Sequence, residues 1–168
     1  VGQHGLVMED GLPNAGSVSL ARTGRVYDLC ARQEVKTTSA DGAMSFPVAL
    51  GPGEGRLFLI TGKPLQKTVV TLPAQTTRPA AGAVGHGCPL LVEVADRSGK
   101  CVEAVVPVEV RILDAKGQEA EFNGYHAAVN GRLALTLQPA VNDFPGAWTV
   151  TVNNLATGET VRKTLAVK

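Results

Sequence analysis

From residue 88 to residue 168 the chain alternates apolar and polar side chains with a period of two, and glycine-bearing turn sequences interrupt it at nearly even intervals. Leu90, Val92 and Val94 share one face of the stretch 89–96, and Val106, Val108, Val110 and Ile112 share one face of 105–114, with Glu109 and Arg111 opposite. Leu133, Leu135 and Leu137 repeat the pattern in 131–139, then Trp148, Val150 and Val152 in 146–154, with Thr149, Thr151 and Asn153 on the other side. Val161, Leu165 and Val167 close the series. A period of two belongs to half-buried strands and cannot put its apolar residues on one side of a helix. The sequences "DRSGK", "DAKGQ", "VNGR" and "LATGE" between these runs supply turn chemistry that ends one strand and starts the next.

With "KTVVTLPA" (67–74) as a first strand and a short one within 120–129, about seven strands occupy roughly 100 residues, the count and spacing of an immunoglobulin-like sandwich, although the Cys…Trp…Cys pattern of antibody domains is absent. The first 63 residues read differently. Four strands are expected there, at 16–22, 24–32, 43–51 and 55–62, joined through the "SADG" and "GPGEG" turns. A sheet of that size buries one face and needs another surface to cover it: the following domain, a partner, or other parts of a parent chain. Gly62 and Pro64 interrupt two patterned strands at the expected junction. The expectation is therefore an all-β protein: a small antiparallel sheet domain at 1–63, completed by other parts of a parent chain, followed by a seven-stranded immunoglobulin-like β-sandwich at 64–168.

Composition agrees with this reading and removes several classes of function. A hydrophobic share of 44% with 18% charged residues can bury a core, and with aromatics at only 4% that core must be built from aliphatic side chains. The net charge of +1 is spread along the chain, which argues against a nucleic-acid or anionic-membrane surface. No apolar run approaches the roughly 20 residues that span a bilayer. The opening "VGQHGLVMED" starts at Val1 without a signal segment, so an excised part of a larger protein is expected. Cys30, Cys88 and Cys101 are odd in number and lack CxxC spacing, which signals neither a zinc site nor a disulfide framework. If "DRSG" is a hairpin tip, Cys101 lies near Val94 and far from Cys88, so the two are not natural partners.

Two stretches carry resemblances. "GRVYDLCARQEV" followed by "MSFPVALGPGEGRLFLI" is similar to the small β-domain near the C-terminal end of many bacterial glycoside hydrolases, through Val26, Tyr27, Asp28, Leu29, Leu50, Pro52, Gly53, Glu54, Gly55, Arg56, Leu57 and Phe58. The likeness spans residues 16–62 and implies an accessory module without catalytic residues of its own, in the C-terminal region of a secreted carbohydrate-active protein. The stretch from "LLVEVADRSGKC" to "TGETVRKTLAV", within residues 67–168, resembles the immunoglobulin-like and macroglobulin-like modules of large secreted bacterial proteins. It implies a spacer or interaction module outside the cytoplasm, whether secreted, periplasmic or on the cell surface.

Candidate chemistry is sparse. His4, His86 and His126 lie in no HExxH or HxH frame, and loop histidine is the simpler reading, so no metal or cofactor is expected. Paired carboxylates would be needed for glycoside hydrolysis. Glu9, Asp10, Glu54, Asp96, Asp114 and Asp143 nearly all sit at turn positions where they cap the backbone, while Asp28, inside a strand, suits an ion pair with Arg25 or Arg56. Cys88 follows His86 in "GHGC", a coincidence of loop composition rather than a nucleophile and its base. No catalytic residue is assigned.

For a binding module, exposed aromatic rings are the feature to find. Trp148 shares its face with Val150 and Val152 and is expected in the core. Phe144, Tyr125 and Phe122 fall in loop-like sequence and are the surface candidates. The function expected is that of a non-catalytic accessory or scaffold part of a secreted carbohydrate-active protein, with a carbohydrate- or cell-surface-binding module, or an adhesin-like or macroglobulin-like interaction domain, as the alternative. The partners expected are the rest of the parent polypeptide and a glycan or cell-surface protein.

Overall fold

A computed structural model describes residues 11–81 and 87–168, and every regular element in them is a β-strand. Strands β1 (Asn14–Leu20), β2 (Arg25–Asp28), β3 (Gln33–Val35), β4 (Thr38–Ala40), β5 (Ala43–Leu50) and β6 (Phe58–Thr61) form two three-stranded antiparallel sheets, ordered β1-β5-β4 and β3-β2-β6. Six strands thus stand where four were expected. The additions are β3 and β4, each three residues long, and the β4–β5 hairpin turns on Asp41 and Gly42, both at positive φ, as a two-residue loop of that twist requires.

Alternation along β2 decides how these sheets pack. Val26 faces the β1-β5-β4 sheet and joins Met44 and Phe46 in a small core, covered by Leu20, Val35, Val48, Phe58 and Ile60. The Phe46 and Phe58 rings meet edge to face at 5.1 Å between centroids. Tyr27, the next residue along, points the other way and is 1% exposed within the larger core of the second half, together with Leu29 and Leu59. The middle sheet is therefore apolar on both faces, one for each neighbour.

The second half contains β7 (Lys67–Thr71), β8 (Gln75–Thr76), β9 (Cys88–Ala95), β10 (Val106–Leu113), β11 (Gly124–Ala128), β12 (Arg132–Leu137), β13 (Gly146–Asn154) and β14 (Thr160–Val167). They form a five-stranded sheet, β11-β10-β13-β14-β8, facing a three-stranded sheet, β12-β9-β7. This is an immunoglobulin-like sandwich of seven principal strands, with the two-residue β8 added in parallel to the end of β14. Its core takes Val106, Val108, Val110 and Ile112 from β10, Trp148, Val150 and Val152 from β13, and Leu90, Val92 and Val94 from β9.

Three turns share one design. Asp96 Oδ1 accepts N–H bonds from Ser98 and Lys100, and Asp114 Oδ1 accepts them from Lys116 and Gln118. Asn154 Oδ1 takes those of Ala156 and Thr157. Each turn ends in a glycine at positive φ, Gly99, Gly117 and Gly158, where a side chain would strain the backbone.

Two buried polar contacts tie the layers together. Asn154 Nδ2 donates to Thr68 Oγ1 at 3.0 Å, from β13 of one sheet to β7 of the other. The Tyr27 hydroxyl accepts the Leu65 N–H at 2.7 Å, from the middle sheet to the chain that enters β7. The β13–β14 turn also lies against the β2–β3 turn: a Cβ added at Gly158 would meet the Arg32 carbonyl oxygen at 3.0 Å.

Trp148 is 2% exposed, and its Nε1–H donates to the Phe144 carbonyl at 2.8 Å, so the indole is both packed and satisfied. Trp148→Ala should lower stability by roughly 3 to 5 kcal/mol in urea unfolding. Tyr27→Phe keeps the ring but leaves the buried Leu65 N–H without an acceptor, which should cost about 1 to 3 kcal/mol and speed hydrogen exchange at the Leu65 amide.

Candidate functional site

The three aromatic candidates have separate surroundings. Phe122 is half-buried, with part of its ring packed against the sandwich core. The reason is local: Asn123 Oδ1 accepts the Ile112 N–H, which draws the approach to β11 back onto β10 and carries the preceding ring inward. Phe144 is half-buried, and Lys116 Nζ stands 3.3 Å from its ring centroid in a cation–π contact that occupies one face of the ring. Tyr125 is 73% exposed on β11, an edge strand of the five-stranded sheet.

Around Tyr125 the outer face of that sheet forms a polar row. Tyr125 lies opposite Glu109, Glu109 opposite Asn153, and Asn153 opposite Thr160. Asn153 Nδ2 donates to Glu109 Oε2 at 2.9 Å, and Thr160 Oγ1 donates to Asn153 Oδ1 at 2.7 Å. Beside this row, Arg111 donates to Glu119 at 2.8 Å, and that contact raises the guanidinium's pKa. The side chains are held in place by one another, so the face presents fixed donors and acceptors.

Among the described residues, the acidic side chains singled out in the sequence are engaged with backbone or with a cationic side chain. Asp28 Oδ1 accepts the N–H groups of Cys30 and Ala31, both at 2.9 Å, while its Oδ2 takes Arg56 Nη1 at 3.2 Å. Arg25 pairs instead with Glu34 at 3.0 Å. Glu54 accepts the Gly51 N–H, and Asp143 accepts the Ala140 N–H. Glu9, Asp10, His4 and His86 lie outside the described residues. His126, on β11, has its Nε2 buried with no hydrogen-bond partner among the described residues. Among those residues there is also no cluster of three His, Cys, Asp or Glu able to hold a metal ion, and no helix long and apolar enough to cross a membrane.

All three cysteines are free. Cys88 opens β9, opposite Leu137, whereas Cys101 bridges to Ala95 at the far end of the same strand. Seven residues of extended chain separate those ends by about 23 Å, far beyond disulfide reach. Burial pushes the Cys88 thiol up, which suppresses the thiolate a nucleophile needs.

The middle sheet contributes a cleft of about 470 Å³ between β3 and β5, with Asp28, Arg56 and Phe58 among its lining residues. At the junction of the two halves, Lys63 Nζ reaches Asp96 Oδ2 at 3.0 Å. Asp96 is 6% exposed, and the Ser98 hydroxyl, the Lys63 ammonium and the backbone N–H groups of Ser98 and Lys100 hold its carboxyl well below the usual carboxylate range.

No protein family matches the chain, and no curated protein matches it in sequence. Among solved structures it is similar to the Yersinia pseudotuberculosis adhesin InvE, at 12% identity and a TM-score of 0.45 over 93% of this chain, which spans 49% of the adhesin's length. It is also similar to a chimeric titin Z1Z2-Z1Z2 tandem carrying a GRGDS peptide from fibronectin, at 15% identity and a TM-score of 0.33, covering 94% of this chain and 92% of that one. Neither structure is a glycoside hydrolase domain, and likeness at these scores carries no function across.

Because the folded state depresses the Asp96 pKa, the stabilisation from this carboxylate is complete above its ordinary value of about 4 and declines as pH falls below it. Asp96→Asn should therefore be less stable than the parent at neutral pH, with a shallower loss between pH 4 and pH 2 in chemical unfolding at several pH values. Brief iodoacetamide treatment at neutral pH followed by peptide mass spectrometry should label exposed Cys30 and spare buried Cys88.

Proposed function

We propose that the chain is a non-catalytic interaction module acting outside the cytoplasm, which engages a protein partner through the outer face of its five-stranded sheet. The observation that carries this reading is the exposed Tyr125 on an edge strand, beside the mutually fixed row Glu109, Asn153 and Thr160. A tyrosine supplies large contact area with little conformational freedom to lose, which is why the residue is enriched at binding hot spots. The same surface is poorly suited to sugar. Sugar stacking uses bare ring faces, and here Phe122 is partly packed against the core while Lys116 occupies one face of Phe144.

In this proposal residues 1–63 and 64–168 act as two modules, the first serving as a mount for the second and completed by other parts of a parent chain. The residues that resemble the β-domain of glycoside hydrolases build the β2–β6 pair and the Asp28–Arg56 contact. They are accounted for by the fold, so a carbohydrate-active parent receives no separate support from them.

The test is binding of fluorescently labelled protein to intact bacterial and epithelial cells by flow cytometry, before and after protease shaving of the cell surface. Protease-sensitive binding that falls about tenfold or more in Tyr125→Ala, with an unchanged melting temperature, is the expected result. Binding that survives shaving but is lost after glycosidase treatment, or that is indifferent to Tyr125→Ala, overturns it.

A further inference from the structure

Among the described residues, two of the open strand edges in the first half face each other. β4 pairs with β5 only over Ala43 to Ser45, so the stretch Phe46 to Leu50 has β1 along one side and no strand along the other among the described residues. β3 has β2 on one side and, among the described residues, no strand on its other side. The cleft of about 470 Å³ lies between these edges, with Gln33, Val35 and Lys36 on one wall and Pro47 and Val48 on the other. A second hollow of about 480 Å³ runs against Arg25 and Thr37 and shares Glu34, Val35 and Lys36 with the first, so space is open on both sides of the β3 edge.

The two edges are not equivalent. Pro47 has no N–H to offer, which blunts β5 as a template, whereas the stretch from Gln33 to Thr37 contains no proline, so its N–H groups that do not point to β2 remain available to a further strand. The charges are unequal as well. Asp28 is taken by Arg56, and Glu34 by Arg25, while Lys36 has no carboxylate within ion-pair distance among the described residues. Val48 and Phe58, both half-buried, line the same cleft with apolar surface.

We propose that this cleft receives an extended peptide of about five residues, which adds a strand to the free edge of β3, sets an apolar side chain against Val48 and Phe58, and places a carboxylate beside Lys36. Five residues of strand cover about 17 Å, enough to run along β3 and past the two residues that follow it, Lys36 and Thr37. Main-chain hydrogen bonds supply the general affinity of such strand addition, and the alternating side chains supply its selectivity. This surface is separate from the Tyr125 face, so the two readings succeed or fail independently.

The experiment is an NMR titration of the ¹⁵N-labelled full chain with the capped pentapeptide Thr-Val-Glu-Val-Thr, a second probe with lysine in the central position, and a third with alternate backbone nitrogens methylated. The glutamate probe should shift the amides of residues 33–37 and 47–50, and the lysine probe should bind about tenfold more weakly or less. Lys36→Glu, a change at an exposed position that leaves the fold intact, should reverse that preference, and the methylated probe should not bind. The proposal is overturned if shifts are absent or map elsewhere, if the methylated probe binds equally, or if Lys36→Glu leaves the preference unchanged. It is also overturned if the same amides shift with protein concentration alone, which would make a second copy of the chain the occupant.

Discussion

The arrangement depends on a sheet with two apolar faces. Alternation along β2 sends Val26 into the small core with Met44 and Phe46, and sends Tyr27 into the core of the sandwich. A three-stranded sheet is marginal by itself because it cannot bury enough surface. Here the β3-β2-β6 sheet is covered from both sides, and the hydrogen bond from Leu65 to the Tyr27 hydroxyl fixes the chain at the point where it leaves one half for the other. The ion pair between Lys63 and Asp96 adds a second tie within three residues of that point. Removing one of these contacts would weaken the junction, but the double burial of the middle sheet is what makes a junction of this kind necessary.

Much of this was legible in the sequence, for a definable reason. The sandwich strands are long enough for period-two alternation to show, and their inward residues, such as Val106 through Ile112 and Trp148 through Val152, are those the pattern selects. β3 and β4 escaped because three residues are too few to establish a period, and "QEV" and "TSA" are mostly polar. The candidate sites were harder to read. The partner of Asp28 was foreseeable from an arginine on a neighbouring strand, but the cleft beside it comes from β4 stopping short of the end of β5, which no local pattern announces. The packing of Phe122 against the core was not legible, because it goes with a bond in which Asn123 Oδ1 accepts the Ile112 N–H of a different strand.

Polar residues in this protein divide by position more than by type. Those at turns are consumed by the backbone, as with Asp96, Asp114 and Asn154, whose side-chain oxygens all take N–H groups two residues ahead. Those on the outer face of the five-stranded sheet, Glu109, Asn153 and Thr160, bond to one another and stay in contact with solvent. Acidic residues outnumber functional possibilities for that reason. A carboxylate already holding two backbone donors is a poor base and a poor nucleophile.

The contact between Asn154 and Thr68 has a consequence that concerns uniqueness more than strength. Both side chains are buried, each is polar, and each satisfies the other across the gap between the two sheets. A hydrogen bond of that kind adds little net stability, but an orphaned member is expensive in a dry interior. If β13 slipped by one residue against β10 so that Leu155 came opposite Val108, Asn154 would turn to the outer face and Thr68 would face an aliphatic side chain in place of its amide partner. The valine ladder alone would penalise such a slip only through exchanged apolar and polar faces, whereas this pair adds an orphaned buried hydroxyl to it; a slip the other way brings the Asn153 amide inward instead, at the loss of its bonds to Glu109 and Thr160. It works as a key for the correct assembly of the two sheets.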